Sequence, residues 1–288
     1  MTRTAFRTTS AGGLDLDSLP MRLYQKAKRL GTWDPATIDL TRDRELWRGL
    51  SADQQGAILQ ITSLFQAGEE GVTLDLLPLI MVIAEEGRLE EELFLTTFLF
   101  EEGKHVEFFR RFLDEVCAAD GDLHGFHTPT YRILFYEELP AAMNRLRDDR
   151  SPEAQIHAAV TYNMIVEGVL AETGYQSYFL ALERNDLMPG LREGLGHVKR
   201  DESRHIAYGV YLLSRLVAGD PVLWQVAETR MAELLPHALA FIEETFAGYG
   251  PTSPFGVRLD ELSAFAQSQF EKRLDRIRRG AAHEEVAL

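Results

Sequence analysis

Apolar side chains recur every three to four residues along almost the whole chain, and no segment alternates apolar and polar residues as a strand would. The first long pattern begins at Ser51 or Ala52, where Ser51 offers a capping oxygen, and continues to Leu77. We expect Pro78 to kink or break this helix, because proline lacks a backbone donor and clashes with the preceding turn. A second long helix is predicted over 88–117.

Further helices follow, each separated from the next by a short connection. We predict them over 131–147, 151–183, 189–216, 222–246 and 256–279. No Ser- or Gly-rich linker divides the chain, so the pattern favours a single all-α domain, residues 1–288, built as a helix bundle. About 20 residues at the N-terminus and about 10 at the C-terminus are expected to be extended or flexible.

The composition is that of a globular protein, with 45% hydrophobic and 26% charged residues. The formal net charge of −15 disfavours nucleic-acid binding, because few basic residues could displace counterions from phosphates. No apolar run approaches the roughly 20 residues of a membrane span, and the N-terminus lacks the apolar core of a secretory signal. The single cysteine, Cys117, excludes a disulfide framework and fits a reducing compartment. We therefore expect a cytoplasmic protein.

Two short segments have the same order of residue types: acid, Glu, small residue, base, His. They are EEGKH at 101–105 and DESRH at 201–205. On a helix, residues three positions apart lie about 60° apart around the axis and rise about 4.5 Å, so both side chains leave the same face. Glu102 with His105, and Glu202 with His205, can therefore bind a divalent metal such as iron or manganese, although a lone Glu-x-x-His is a weak signal.

Each motif has a single glutamate at a matching distance before it. Glu69 precedes Glu102 by 33 residues, and Glu167 precedes Glu202 by 35 residues. Both intervals suit one helix, a turn and an antiparallel return, so two further helices would each add a carboxylate to a dinuclear site in a four-helix bundle. Both single glutamates have apolar neighbours, where a buried carboxylate without a partner would be costly.

The register leaves two choices open. Glu101 adjoins Glu102 and also precedes the motif histidine by one helical turn, and Glu70 adjoins Glu69. We prefer Glu102 because it repeats the spacing of the second motif, and Glu69 because Val72 then falls on the same helix face.

Glycines lie close to both single glutamates. Gly71 is two residues after Glu69, and Gly168 directly follows Glu167. Because glycine has no Cβ, we expect both positions to let another group approach the helix backbone.

With these motifs the chain resembles the ribonucleotide reductase small-subunit-like ligand-binding oxidases, a group of ferritin-like dimetal-carboxylate proteins. The resemblance covers roughly residues 6–246 and rests on the segments GEEGV, FEEGKH, YNMIVEG and KRDESRH. It implies a ferritin-like four-helix-bundle core with additional helices, and six ligands for one manganese and one iron ion, with a di-iron pair as the alternative. The ligands would be Glu69, Glu102, His105, Glu167, Glu202 and His205.

The resemblance also assigns roles to these ligands: Glu69 and His105 for manganese, Glu167 and His205 for iron, and Glu102 and Glu202 nearer the middle. It implies an oxidase that activates dioxygen, with a long-chain fatty acid bound at the metals in an apolar tunnel. It further implies a covalent ether between Tyr162 and Val72. The tunnel-lining residues and the electron donor cannot be assigned from the sequence, and we expect a homodimer.

Helical spacing alone places the side chain of Val72 beside the expected metal ligands, but it does not do so for Tyr162. Val72 lies one turn beyond Glu69, and its tertiary Cβ–H bond is the easiest aliphatic bond in that side chain to oxidise. Tyr162 is five residues before Glu167, about 140° away on an ideal helix, so it would need a distorted turn or a slanted approach. Without the resemblance, Tyr162 would be assigned to the core, with its hydroxyl group satisfied.

Several other functions compete with this one. Ribonucleotide reductase small subunits resemble the chain, but they usually carry a radical tyrosine four residues after the first motif histidine, where this chain has Phe109. Their first single ligand is usually Asp rather than Glu69, and the C-terminal segment RRGAAHEEVAL lacks their tyrosine. A fatty-acyl desaturase or hydroxylase, a ferritin-like metal store and a fatty-acid carrier also compete with the oxidase. The tryptophans, Trp33 among them, are expected to pack rather than to bind anything.

Overall fold

A computed structural model describes residues 5–119 and 121–282, and helices dominate this part of the chain. Within it, β-structure is limited to an isolated bridge between Thr252 and Arg258, which confirms the predicted all-α class. The predictions about the chain ends fall partly on residues 1–4 and 283–288, which lie outside the described residues.

Four long helical stretches form the central bundle. They are α3 (Ala52–Glu85), α4 (Leu89–Phe112), α9 (Pro189–Gly219) and a composite helix made of α7 (Pro152–Ala159), a π-helical segment (Val160–Ala171) and α8 (Glu172–Arg184). The other α-helices are α1 (Leu19–Leu30), α2 (Thr41–Trp47), α5 (Pro129–Arg132), α6 (Leu139–Arg145), α10 (Leu223–Thr245) and α11 (Leu259–Ala282). Shorter π-helical segments are Leu113–Cys117 and Ile133–Glu138, and 3-10 turns are Arg7–Thr9, Pro35–Thr37 and His124–Phe126.

The long helices therefore lie where the apolar pattern predicted them, and α1 and α2 are additions that the pattern did not reveal. The start of α3 follows from a capping box. The Ser51 hydroxyl accepts a hydrogen bond from the Gln54 backbone N–H at 3.2 Å, and the Gln54 side chain accepts one from the Ser51 N–H at 3.1 Å.

Of the two expected effects of Pro78, a break is contradicted, because α3 continues through Pro78 to Glu85. Proline removes the N–H that would bond the carbonyl of Leu74, but Leu74 is exposed, so water can satisfy that carbonyl. Packing of α3 against α4 on the other side then holds the helix together.

The core between the long helices is rich in phenylalanine. Five phenylalanines of α4 are fully buried: Phe94, Phe98, Phe108, Phe109 and Phe112. α4 packs against α3, and α9 packs against the π-helical segment, so the polar residues of α4 and α9 face each other across this apolar interior. No helix of the described ranges is long and apolar enough to cross a membrane.

Candidate metal centre

Six acidic and histidine side chains converge in the middle of the bundle. α3 contributes one, the π-helical segment one, and α4 and α9 two each, and all are buried: Glu69, Glu102, His105, Glu167, Glu202 and His205. They form two overlapping groups whose ligand atoms lie within 4.8 Å of one another. Glu102 and Glu202 belong to both groups, so the cluster has two ends and a shared middle.

The first end is built by α3 and α4. Nδ1 of His105 lies 3.3 Å from Oε2 of Glu69, 3.4 Å from Oε2 of Glu102 and 3.4 Å from Oε1 of Glu202. The i,i+3 spacing of Glu102 and His105 puts both side chains on one face of α4, as the motif predicts.

The second end is built by the π-helical segment and α9. Nδ1 of His205 lies 3.5 Å from Oε1 of Glu102, 3.6 Å from Oε1 of Glu167 and 3.7 Å from Oε2 of Glu202. The amide of Asn163 donates a hydrogen bond to Oε2 of Glu167 at 2.9 Å and so orients this carboxylate.

The π-helical segment explains how Tyr162 reaches the cluster. A π-helix bonds each residue to the fifth one along, so residues five apart lie on the same face, whereas an α-helix would separate them by about 140°. Tyr162 and Glu167 are five apart within Val160–Ala171, so both face inward. The distorted turn that Tyr162 required is therefore present.

Tyr162 is fully buried between the two halves of the bundle. Its hydroxyl group donates to Oε1 of Glu102, at 3.1 Å, and lies 3.3 Å from the backbone carbonyl oxygen of Val72. Burial raises the pKa of this phenol well above its usual value, and the Glu102 and Glu167 carboxylates raise it further, so the oxygen keeps its proton.

Neither Glu70 nor Glu101, the competing choices in the register, points into the cluster. Glu70 is exposed, and Glu101 accepts a hydrogen bond from Nε2 of His205 at 2.9 Å, on the side of the ring that faces away from the other ligands. Glu101 also accepts from Arg204 at 2.6 Å. Glu101, the acid of the first motif, thus accepts hydrogen bonds from both the histidine and the base of the second motif.

The acid of the second motif, Asp201, likewise contacts the histidine and the base of the first motif. Asp201 lies 3.4 Å from Nε2 of His105 and accepts hydrogen bonds from Lys104, at 3.1 Å, and from the indole of Trp33, at 2.7 Å. Burial alone would raise the pKa of Asp201, but His105, Lys104 and Trp33 together lower it well below its usual value. Each histidine thus offers Nδ1 to the cluster while Nε2 faces a carboxylate, the arrangement typical of a metal-binding histidine.

The roles of these outer residues did not follow from the sequence, in which Glu101 is a competing ligand and Trp33 is expected to pack. Asp201, Lys104 and Arg204 carried no expected role. The available signal was the full five-residue pattern, because the acid and the base repeat in both motifs together with Glu and His.

The electrostatics of the cluster are strongly negative. Burial raises the pKa of Glu102 and of Glu167, since a charged carboxylate is poorly solvated there. Burial opposes a charged imidazole at His105 and His205, but the surrounding carboxylates outweigh it and raise both pKa values well above the usual range. Cations are needed to balance this charge.

The donor set fits two divalent metal ions. Four buried atoms that face the cluster have no hydrogen-bond partner within the described residues: Oε2 of Glu102, Oε1 of Glu167, Oε2 of Glu202 and Nδ1 of His205. Four carboxylates would neutralise two divalent ions, and mixed oxygen and imidazole ligands suit iron and manganese. The arrangement can therefore hold two metal ions, with Glu102 and Glu202 shared between its two ends.

The two glycines differ from each other. A Cβ on Gly168 would stand 2.9 Å from the carbonyl oxygen of Asn163 and 3.0 Å from Nε of Arg273, so this backbone is closely approached as expected. The same expectation was wrong for Gly71, where a Cβ would meet nothing within 4 Å among the described residues.

A long apolar cleft ends at the cluster. It encloses about 1230 Å³ of empty space, its opening to solvent included. Glu69, Glu102, Glu167 and Glu202 line its inner end, and residues such as Phe255 and Leu262 line the rest. Its lining among the described residues includes no Lys, Arg or His, so its inner end is acidic unless cations are bound.

Comparisons with known proteins agree with this geometry. A family model described as ribonucleotide reductase, small chain, matches residues 21–285. An R2-like ligand-binding oxidase mutant with an anaerobically reconstituted Mn/Fe cofactor has 40% sequence identity and a TM-score of 0.88, over 95% of this chain and 98% of that chain. A second R2-like ligand-binding oxidase mutant, with an aerobically reconstituted Mn/Fe cofactor, has 39% sequence identity and a TM-score of 0.89, again over 95% of this chain and 98% of that chain. A third, with a non-activated Mn/Mn cofactor, has 39% identity and a TM-score of 0.91, over 96% of this chain and 98% of that chain.

Proposed function

The chain belongs to the ribonucleotide reductase small-chain family, in the group of R2-like ligand-binding oxidases, and on that premise we propose that it uses a Mn/Fe centre and dioxygen to oxidise its own Tyr162 and Val72. The observation that carries this proposal is the position of the six-residue cluster, which lies at the inner end of an apolar cleft and beside Tyr162.

The six clustered residues hold the metals in this proposal. Glu69 and His105 would hold the manganese, Glu167 and His205 would hold the iron, and Glu102 and Glu202 would lie between the two ions, because both belong to the two overlapping groups. When bound, the metal pair reduces dioxygen and supplies oxidising equivalents. The buried Phe98, stacked on the ring of His205 at a 3.6 Å centroid distance, keeps water from that end of the centre.

The contacts of Tyr162 favour an ether bond to Val72. The phenol loses its O–H hydrogen and the Val72 side chain loses its Cβ–H hydrogen, so a C–O bond forms as two electrons and two protons leave. Dioxygen is the electron acceptor. Glu102 accepts the phenol's hydrogen bond at 3.1 Å and is therefore placed to take its proton.

A long-chain fatty acid is the ligand that the cleft fits best. The apolar walls suit an alkyl chain, and a carboxylate head would reach the inner end. Because no basic residue of the described ranges lines the cleft, the head must bind the metals, and the acid should leave when they are removed.

The residue at position 109 favours this function over nucleotide reduction. Phe109 is fully buried against Phe65, with a ring-centroid distance of 5.2 Å, so this position offers no phenol to hold a radical.

A homodimer is proposed from an exposed apolar face of α3 and α4. Leu74 and Met81 on α3 are 61% and 60% exposed, Leu77 lies between them, and Phe100 on the adjacent α4 is 60% exposed. A second copy would cover this face. We also propose a cytoplasmic location, because the sequence has a single cysteine, Cys117, which fits a reducing compartment.

Peptide mass spectrometry tests the central step. After aerobic loading with manganese and iron, the Val72 and Tyr162 peptides should be linked, with a mass two hydrogens below the sum of the separate peptides. Anaerobic loading should leave them separate. Tyr162→Phe should abolish the link while two metals per chain are retained, because the phenol is not among the clustered ligands.

Two results would contradict the proposal. One is a linked peptide pair in metal-free protein kept without oxygen, since no oxidant would then be present. The other is unlinked peptides in fully loaded, oxygen-exposed protein, which would leave Tyr162 as a core tyrosine. Extraction of the denatured protein checks the fatty acid separately, and repeated empty extracts would count against that ligand.

A further inference from the structure

A second buried tyrosine lies one helical turn from the cluster and has no part in the chemistry described so far. Tyr208 follows His205 by three residues on α9 and is fully buried. Its hydroxyl group donates a hydrogen bond to Oε2 of Glu91 at 3.0 Å. Glu91 is itself only 2% exposed, so a phenol and a carboxylate are buried together.

Aromatic rings connect Tyr208 to the metal ligand His205. Phe98 stacks on the His205 ring at 3.6 Å, Phe94 lies 6.1 Å from Phe98, and the Tyr208 ring lies 5.2 Å from Phe94, as centroid distances. All these rings are fully buried.

Rings also lead outward from Tyr208. Its centroid is 6.2 Å from that of Tyr211, which is half-buried. Tyr211 borders a surface cleft whose lining includes Arg7, Arg88 and Glu90. The chain of rings therefore runs from the metal ligand to the protein surface, away from the apolar cleft.

We propose that Tyr208, with Glu91 as its proton acceptor, is a one-electron relay between the metal centre and the surface at Tyr211. The proposal rests on the oxidase function, which supplies the oxidant. It identifies where the electron donor delivers its electrons. Once Tyr162 carries the ether it has no O–H group left, so later reductions of dioxygen need electrons from another source.

The relay needs two redox partners: the oxidised metal centre as electron acceptor and a one-electron donor at the surface. Tyr208 would give one electron to the metal centre and its proton to Oε2 of Glu91. Tyr208 and Glu91 would then be a neutral phenoxyl radical and a protonated carboxyl group. A one-electron donor at the surface then returns the electron through Tyr211, and Glu91 returns the proton.

The surroundings of Glu91 suit a reversible proton acceptor. Burial raises the pKa of its carboxyl group, whereas Arg215 and Arg88, each 3.4 Å from its Oε1, oppose the shift. Tyr175 provides the contrast. It is equally buried, but its hydroxyl group has no hydrogen-bond partner within the described residues, so nothing there can take its proton.

Electron paramagnetic resonance tests the relay in full-length protein. The parent is Tyr162→Phe, in which the ether cannot consume the oxidant. Loaded with manganese and iron, exposed to oxygen and frozen, it should show a tyrosyl radical. Adding Tyr208→Phe should abolish the signal. Adding Glu91→Gln should also abolish it, because the amide oxygen still accepts a hydrogen bond but is too weak a base to take the proton. The matched control Tyr175→Phe should keep it.

Metal analysis and the melting temperature of each variant separate loss of the relay from loss of the site or of the fold. A radical that survives Tyr208→Phe, or that disappears with Tyr175→Phe, would overturn the proposal.

A second measurement needs no metal and distinguishes failure of the relay from failure of the oxidase function. Metal-free protein is photo-oxidised by ultraviolet light in frozen solution and then annealed. The tyrosyl signal that outlasts annealing should be lost in Tyr208→Phe and in Glu91→Gln but not in Tyr175→Phe. If the signal decays identically in wild type and Tyr208→Phe, the relay is refuted, whatever the loaded enzyme does.

Discussion

Each end of the candidate metal site has one glutamate and one histidine of its own, but the two ends are built on different types of helix. At the first end, Glu69 and His105 come from regular α-helices. At the second, Glu167 comes from a π-helical segment that Arg273 approaches closely, while His205 comes from regular α9. The i,i+3 geometry that builds the first end is part of ordinary helix geometry, whereas the second end depends on a local distortion.

The π-helical distortion at the second end brings Tyr162 to the cluster. A regular helix could present Glu167 to the cluster, but it would turn Tyr162 away by about 140°. The π-helical segment puts both side chains on one face, and Tyr162 then reaches Glu102 at 3.1 Å. Both ends thus offer candidate metal ligands, and the second also brings the phenol of Tyr162 to the cluster.

Removing both shared ligands should have the largest effect, because it destroys both ends at once. Glu102→Ala with Glu202→Ala should lower the metal content from two ions per chain to none, and either single change should lose at least one. The double variant should also lose the bound fatty acid, whose carboxylate would face acidic groups without cations. Elemental analysis and extraction measure these losses.

Glu70→Ala is the matched control for that prediction. Glu70 adjoins Glu69 but is exposed, so the variant should keep its metals and its fatty acid. Full metal content in the Glu102 and Glu202 double variant would refute the ligand assignment.

A substitution beside the π-helical segment should affect the second end alone. A Cβ on Gly209 would come within 2.3 Å of the Cβ of Asn163, the residue that holds Glu167. We expect Gly209→Ala to destabilise the protein by about 1–3 kcal/mol through overpacking, and to weaken one metal position more than the other. Urea unfolding and metal titration measure these effects.

Gly71→Ala gives the opposite expectation at the first end. A Cβ there meets nothing within 4 Å in the described part of the chain. The added methyl should therefore leave metal binding unchanged and stabilise α3 by up to about 1 kcal/mol through its higher helix propensity. Equal destabilisation by Gly71→Ala and Gly209→Ala would remove the contrast between the two ends.

The smallest expected effect concerns Asp75, a buried carboxylate of α3 that is not one of the candidate metal ligands. Burial raises the pKa of Asp75 to about 6, although the charge of Arg147 opposes the shift. The folded state therefore binds this proton more tightly than the unfolded state, so the contribution of Asp75 to stability is greatest below about pH 4 and is lost as the pH rises through about 6. Metal-free Asp75→Asn should lack this decrease and gain about 1 kcal/mol at pH 8, after allowance for solvent screening. An unchanged pH profile in that variant would show that Asp75 is not the source.

The parts of the molecule that follow helical periodicity could be predicted from sequence. Residues three apart on a helix share a face whatever the surrounding fold is, so Glu102 with His105 could be paired from spacing alone. The long helices followed from the same periodicity, as did the antiparallel return that brings Glu69 to the level of Glu102.

Features that depend on tertiary packing could not be predicted in this way. The π-helical segment has no sequence mark of its own, so the position of Tyr162 followed only from the family resemblance. Pro78 was expected to kink or break α3 because the rule considers one turn, but packing against α4 acts along the whole helix, and α3 is not broken. The role of Trp33 depends on Asp201, which is 168 residues away along the chain.

The crossed pairing of the two motifs has a consequence for how such a sequence can diverge. Glu101 accepts from Arg204 and Asp201 accepts from Lys104, so each acid has a partner in the other motif, and Asp201 also accepts from the Arg204 of its own motif. A change at one of these positions should therefore favour a compensating change about a hundred positions away as well as nearby. In sequences that descend from this one, we expect correlated substitutions at positions 101 and 204, and likewise at positions 201 and 104.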